Sequence, residues 1–154
     1  MGTTFATSVT LRPARAEDLN FAWSIYAEGI QPFASAYYHW DEKDQAARFA
    51  RIYDWRHSAI VQCGSDDAGW FTITRTERAI WLQQFFMSVE FRDLGIGSYL
   101  LERLCEEWDE ARETASLMVL RNNPARHLYA RFGFRTIRRL MTHRPHVFTI
   151  RSSD

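Results

Sequence analysis

Between Ala79 and Trp108 the chain switches its hydrophobic period once, and that switch limits the fold more than any other feature of the sequence. Ala79 to Val89 reads as a strand after the Glu77-Arg78 turn. From Gly95 onward Ile96, Leu100, Leu104 and Trp108 recur at four-residue intervals with Leu101 and Cys105 beside them, while Glu102, Arg103, Glu106 and Glu107 fall on the other side. That is the stripe of an amphipathic helix. A strand feeding directly into a long one-sided helix requires a sheet for the helix to cover.

The flanking segments supply that sheet. Val9 to Arg12 reads as a strand, followed by Pro13 and by Arg15-Ala16-Glu17-Asp18, acidic residues suited to a helix start. The helix is expected to reach Glu28 and stop at Gly29, burying Leu19, Ala22, Trp23, Tyr26 and Ala27. An aromatic run from Gln31 to Trp40 ends at Asp41, an N-cap for a second helix over Glu42 to Tyr53. Ser58 to Cys63 and Gly69 to Thr76 read as strands around the turn Gly64-Ser65-Asp66-Asp67, which with Ala79 to Val89 makes an antiparallel meander. Leu117 to Leu120 is a short apolar strand, and Asn123 and Pro124 cap and open a helix that ends at Gly133. Phe134 to Leu140 and His146 to Ile150 are the closing strands, joined near Pro145. The order β-α-α-β-β-β-α-β-α-β-β predicts an α/β fold of the α+β type, a mixed, mostly antiparallel twisted sheet of about seven strands flanked by about four helices.

The 154 residues suit one domain spanning 1–154, with no repeat, linker or low-complexity tract. Nineteen basic and nineteen acidic residues cancel, so no overall field recruits nucleic acid or an anionic membrane. Lys43 is the one lysine, which leaves guanidinium forks wherever side chains hold anions, and a biased genome composition would produce the same skew. Cys63 and Cys105 are too few for a disulfide framework or a zinc site, and no metal is expected. Met1 to Val9 lacks a leader's basic and apolar parts, and no apolar run is long enough to span a bilayer, so a cytoplasmic, membrane-free protein is expected.

The junction itself carries chemistry. A helix's first turn offers unpaired N–H groups and partial positive charge, and Gly95 and Gly97 let backbone approach an anion that side chains would block. The third glycine of a dinucleotide fold and the Gly-Lys-Ser/Thr of a P-loop are both missing, so a different phosphate-bearing cofactor is called for. Arg92-Asp93-Leu94-Gly95-Ile96-Gly97 resembles the Arg/Gln-x-x-Gly-x-Gly/Ala signature of the GCN5-related N-acetyltransferase (GNAT) family. Asn122-Asn123-Pro124-Ala125-Arg126-His127-Leu128-Tyr129-Ala130-Arg131-Phe132-Gly133-Phe134 is similar to that family's Asn-x-x-Ala-x-x-Leu-Tyr-x-x-x-Gly-Phe. The resemblance covers Val9 to Arg151 in element order and is sharp from Phe85 to Phe134. Asp93 and Leu94 depart from it by giving the loop less positive charge than usual.

The resemblance implies a GNAT-like fold and an N-acetyltransferase that passes acetyl from acetyl-CoA, as cosubstrate, directly to an amine. It places the pantetheine arm along backbone groups of Phe85, Phe86 and Met87, with the Met87 N–H facing the thioester oxygen. Arg92, Asp93, Leu94, Gly95, Ile96, Gly97 and Ser98 would hold the pyrophosphate, and Asn122 would contact pantetheine. Tyr129 stands where the family often protonates the departing thiolate, and a phenol with a pKa near ~10 holds its proton at neutral pH. Relatives often carry Glu where Gln83 and Gln84 stand; a glutamine takes no proton but can hold substrate or water. His39 is the base to test first, with Glu28, Asp41, Glu42 and Glu90 behind it.

Family members form one wall of the acceptor site from the first two helices. Here that wall carries Glu28, Tyr37, Tyr38 and Trp40, besides Trp23 and Phe33, which suit the core. Ring faces and the acids Glu28, Asp41 and Glu42 favour a cationic acceptor. The acceptor, a small molecule or a protein amine, stays open. Arg121, Arg126, Arg131, Arg135, Arg138, Arg139 and Arg144 make the C-terminal third basic, without any nucleic-acid motif. Relatives often dimerise, and edge strands expected near the C-terminus give a route to a homodimer. The competing readings are a non-catalytic acyl-CoA sensor or partner-binding module on the same fold, kept open by Gln83, Gln84 and Leu94, and an O-acyltransferase or long-chain acyltransferase.

Overall fold

The computed structural model describes residues 8–77, 79–137 and 146–152. Its strands are β1 (Val9–Pro13), β2 (Ser58–Cys63), β3 (Asp66–Thr76), β4 (Ala79–Met87), β5 (Thr114–Leu120), β6 (Arg135–Ile137) and β7 (His146–Arg151). Its helices are α1 (Leu19–Ala34), α2 (Glu42–Ile52), α3 (Ile96–Glu110) and α4 (Ala125–Arg131). The strands form one sheet in the order β1-β2-β3-β4-β5-β7-β6. β4 and β5 run parallel, whereas β1 with β2, β2 with β3, β5 with β7 and β6 with β7 run antiparallel. This is the element order and mixed sheet that the hydrophobic periods predict. The readings that rest on residues 1–7, on Arg78, on Arg138 to Leu140, and on Arg144 and Pro145 lie outside the described residues.

Contacts divide the chain into two compact units. The described residues of Met1–Thr72 and Gln84–Gly97 form one, and those of Ile73–Gln83 and Ser98–Asp154 form the other. The first is built around rings. Phe49, on the one strongly apolar turn of α2, is 2% exposed and has the rings of Trp23, Tyr26, Tyr53 and Trp70 centred 4.9 to 5.8 Å away. Trp70 finds a partner for its indole N–H in the Ala22 carbonyl at 3.1 Å, so the ring is buried without an orphaned donor. Asp41 caps α2 by accepting from the Asp44 N–H at 2.9 Å, as its position predicts.

Helix α1 overruns its expected end. Gly29 and Pro32 both lie inside it, because Ile30, Phe33 and Ala34 continue the stripe of Ala22, Ile25 and Tyr26 at helical spacing. Burial of that stripe outweighs the roughly 1 kcal/mol cost of a helical glycine and the steeper cost of proline. β3 begins at Asp66 and β5 at Thr114, earlier than their apolar runs suggest, since both are extended by ladder pairs through polar residues. β4 ends at Met87, short of Val89, where a 3-10 turn takes over.

Arg12 ties this unit's first strand to the turn before α1 and to β3. Its guanidinium donates to both Asp18 oxygens and to Asp67, each at 2.9 Å, and the pairing holds the Asp18 carboxyl below its ordinary range. A lowered carboxyl pKa adds stability that is present above about pH 4 and is lost as pH falls further. Asp18→Asn is therefore expected to cost about 1 kcal/mol at pH 7 and less at pH 2. Urea midpoints of the two proteins at both pH values check this; an equal gap at pH 2 would show that the pair contributes nothing to the acid limb.

In the second unit α3 buries Leu100, Leu101, Leu104, Cys105 and Trp108, the stripe its period predicts. β5 pairs with β7 from Ala115↔Arg151 to Leu120↔His146, and β6 pairs with β7 from Arg135↔Ile150 to Ile137↔Phe148. Arg151 grips both Asp109 oxygens at 2.8 and 2.9 Å and the Phe132 carbonyl at 2.6 Å. Cys63 and Cys105 are free thiols. Among the described residues no helix is long and apolar enough to cross a membrane, and no group of His, Cys, Asp and Glu is gathered to hold a metal ion.

Candidate active site

The strand before the glycine loop presents bare backbone on one edge. β4 pairs with β5 at Ala79↔Thr114, Ile80↔Ala115 and Trp81↔Ser116, and among the described residues no later pair follows. Backbone groups alternate sides along a strand. The Ser88 N–H donates to the Ala68 carbonyl on β3 at 2.8 Å, and the Phe86 carbonyl lies beside Gly69 of β3. Residues 86 and 88 therefore point their N–H and C=O groups to β3, and Phe85 and Met87 point theirs to the open edge. The side chains of the two phenylalanines are spent on packing: Phe85 tilts against Phe71 at 6.1 Å, and Phe86 meets Tyr26 edge-on at 5.4 Å and Trp70 at 5.8 Å.

After Met87 a 3-10 turn, Val89–Phe91, leads to Arg92. Arg92 does not reach freely into solvent. Its Nε donates to the Met87 carbonyl at 3.0 Å, and its guanidinium comes within 3.6 Å of where a Cβ on Gly29 of α1 would stand. Asp93 (φ 61°) and Gly95 (φ 81°) take the left-handed conformation, which turns the chain sharply before α3 begins at Ile96. Among the described residues the N–H groups of Asp93, Leu94 and Gly95 have no hydrogen-bond partner, and the first N–H groups of α3 lack one by helical geometry. The result is a run of amide donors from 93 into Ser98, the geometry of an anion cradle. Gly97 sits where an added Cβ would lie an ordinary 3.7 Å from Phe85, so the free protein has room for a methyl group there.

Gly69 is a site residue that the motifs do not point to. A Cβ at this position would collide with the Phe86 carbonyl oxygen and lie 2.6 Å from the Met87 Sδ and 3.1 Å from the Met87 Cα. Its signal in the sequence is an isolated glycine within a strand pattern, which marks a close backbone approach.

The connection between α1 and α2 holds the expected acceptor residues. Tyr37, Tyr38 and His39 lie there, all three exposed. Glu28 on α1 is exposed. Trp40 instead stacks on Trp23 at 6.2 Å and donates its indole N–H to Glu42 at 2.8 Å. With Asp41 serving as cap, two of the three acids expected to draw a cationic acceptor are engaged by the protein itself.

In the second unit Gln83 is exposed and donates to the Thr74 hydroxyl at 3.3 Å. Asn122 is exposed on the turn after β5, while Asn123 accepts from the Ala125 N–H at 2.9 Å, the capping role its position predicts. Tyr129, on α4, is buried with its ring edge-on to Phe134 at 5.8 Å. Burial raises its phenol pKa well above the ordinary value, and its hydroxyl has no hydrogen-bond partner among the described residues.

Comparison with known proteins bears on this arrangement. No curated protein sequence matches the chain. Solved structures share its fold. The PaiA N-acetyltransferase of Thermoplasma acidophilum, crystallised with coenzyme A, superposes with a TM-score of 0.74 at 15% identity, over 94% of this chain and 99% of that one. An acetyltransferase from Thermus thermophilus gives 0.70 at 17% identity, over 94% and 97%. The ribosomal-protein-S18-alanine N-acetyltransferase of Escherichia coli gives 0.64 at 19% identity, over 94% and 93%. A family model described as an acetyltransferase (GNAT) domain matches residues 35–136. That span takes in the open-edged β4, the glycine loop and α4 together, and on it the chain belongs to the GNAT acetyltransferase family.

Proposed function

We propose that this chain is an N-acetyltransferase that moves an acetyl group from acetyl-CoA directly to the nitrogen of an amine. The observation that carries the reading is the unpaired β4 edge running into the amide cradle at 93–98. Pantetheine is a chain of amides that suits the free N–H and C=O of Phe85 and the N–H of Met87, and a pyrophosphate suits the cradle. Family membership and the coenzyme A held by the Thermoplasma acidophilum relative support the same assignment. Arg92, tied to the Met87 carbonyl, steadies the strand end and adds positive charge beneath the loop.

In the reaction the amine nitrogen attacks the thioester carbonyl carbon, and negative charge grows on the oxygen, where the Met87 N–H donates. The C–S bond then breaks, and the thiolate takes the proton of the Tyr129 hydroxyl. The amine's own proton leaves to His39, directly or through water; Gln83 orients that water or the acceptor. Asn122 contacts pantetheine, and Glu28, Tyr37, Tyr38 and Trp40 contribute the acceptor wall. The chain works as one domain in a reducing cytoplasm, with no part for its two thiols.

Calorimetric titration with acetyl-CoA, with NADP⁺ and ATP as controls, tests the reading. Micromolar binding of acetyl-CoA alone is expected, and Gly97→Val should weaken it about 30-fold, or about 2 kcal/mol; a Cβ at 97 meets Phe85 only at an ordinary 3.7 Å, so the variant is expected to fold, which its thermal midpoint checks. A folded wild-type protein that does not bind acetyl-CoA would overturn the assignment.

A further inference from the structure

The helix α2 has a face that the proposed reaction does not use. Gln45, Arg48, Phe49 and Ile52 recur on it at helical spacing, and with Arg51 and with Tyr26 of α1 they line a cavity of about 440 Å³, within the size range of small-molecule sites. Its floor is apolar: Phe49 is buried, Tyr26 is half-buried, and Ile52 stands exposed at the rim.

The lining of this cavity carries two arginines and no carboxylate. Arg12, Arg75 and Arg151 are paired with acids, Arg12 with Asp18 and Asp67, Arg75 with Glu113, and Arg151 with Asp109. Among the described residues no carboxylate lies within pairing distance of Arg48 or Arg51, and neither makes a side-chain hydrogen bond. A guanidinium keeps its charge at any physiological pH and binds carboxylate or phosphate through a planar fork. Two such groups over aromatic and aliphatic walls select a ligand that is anionic at one end and apolar in its body. Its wall Tyr26 meets Phe86 of β4 edge-on at 5.4 Å, one residue before Met87.

We propose that this cavity receives the far end of the acceptor, and that the acceptor is an amine whose other end is an oxyanion, carboxylate or phosphate, joined by an apolar or aromatic body. This rests on the acetyl-transfer reading and narrows its substrate class. A zwitterion of this kind satisfies both the exposed Glu28 and Tyr rings near the amine and the two arginines at the opposite end.

The test uses matched acceptors, 4-(2-aminoethyl)benzoate against 4-(2-aminoethyl)benzamide and tyramine O-phosphate against tyramine. kcat/KM is read from release of the coenzyme A thiol, and binding of each compound is measured by calorimetry without acetyl-CoA. At least one anionic member is expected to exceed its neutral match about tenfold in both readouts; which pair does so separates carboxylate from phosphate. In an Arg48→Gln, Arg51→Gln variant the ratio should fall to within about twofold, with acetyl-CoA affinity unchanged. Equal or better use of the neutral members, no binding of either anionic member, or a preference that survives in the variant would overturn the proposal. Because acceptor binding is read without acetyl-CoA, a failure of the acetyl-transfer reading, seen as absent acetyl-CoA binding, is distinguishable from a failure of the cavity.

Discussion

Tyr129→Phe is expected to lower kcat by about 100-fold or more, with acetyl-CoA affinity and thermal midpoint unchanged. The substitution is clean for a structural reason. The Tyr129 ring is held by burial and by its edge-on contact with Phe134, both of which phenylalanine preserves, and the hydroxyl it removes has no partner among the described residues. A lost hydrogen bond therefore cannot account for an effect. What disappears is a proton donor for the departing thiolate, and the raised pKa of the buried phenol keeps that proton in place throughout the working range. The sign of the pH dependence follows: a general acid limits the rate only above its own pKa, so wild-type kcat should not fall between pH 7 and about pH 10. Stopped-flow turnover with any amine that supports release of the coenzyme A thiol measures both effects. An unchanged kcat, or a loss matched by weaker cofactor binding, would remove Tyr129 from the chemistry.

Gly69→Ala should be the most damaging single methyl group in the first unit. The added carbon meets the Phe86 carbonyl and the Met87 backbone and sulfur, and a backbone neighbour has no rotamer into which it can retreat. Overpacking of this kind costs about 3 kcal/mol, equivalent to a fall of roughly 6 to 12 °C in thermal midpoint for a domain of this size. The damage falls on the strand end proposed to face the thioester, so acetyl-CoA affinity should drop even at temperatures where the variant is folded. Scanning calorimetry and titration at about 15 °C, near the temperature of maximum stability, separate the two effects. A variant as stable as the wild type would mean that β3 and β4 yield more easily than their packing implies. Gly97→Ala, whose methyl meets only a ring edge at 3.7 Å, is the matched control.

Periodicity alone reveals the order of the helices and strands, because each amphipathic segment has a clear period of its own and few glycines to confuse it. Element ends are less legible. Gly29 and Pro32 are local stop signals, but the stripe through Ile30, Phe33 and Ala34 is a tertiary reward that local rules cannot weigh. Within the site the anion cradle can be read directly, since Gly95 and the loop around it announce their backbone geometry. Which backbone groups of β4 face outward cannot, because it depends on pairing parity, set here by the bond from Ser88 to Ala68. Arg92 likewise reads in sequence as a phosphate partner, and only the folded chain shows its Nε turned back to the Met87 carbonyl. Arg48 and Arg51 carry no signal of their own, because charges on a helix are ordinarily its solvated face; their interest arises from acids that are not beside them.

The strand order has a consequence for how the polypeptide is made. β6 is synthesised before β7, yet among the described residues it pairs with β7 alone, and β7 lies between it and β5. While the chain leaves the ribosome, Arg135–Ile137 has no edge to join, and one side of β5 waits unpaired until His146–Arg151 emerges. Arg151, the final residue of that strand, then fastens to Asp109 and to the Phe132 carbonyl. Closure of this unit is thus a late and nonlocal step, and a nascent chain stalled just short of it would display an apolar strand edge to chaperones or to its neighbours.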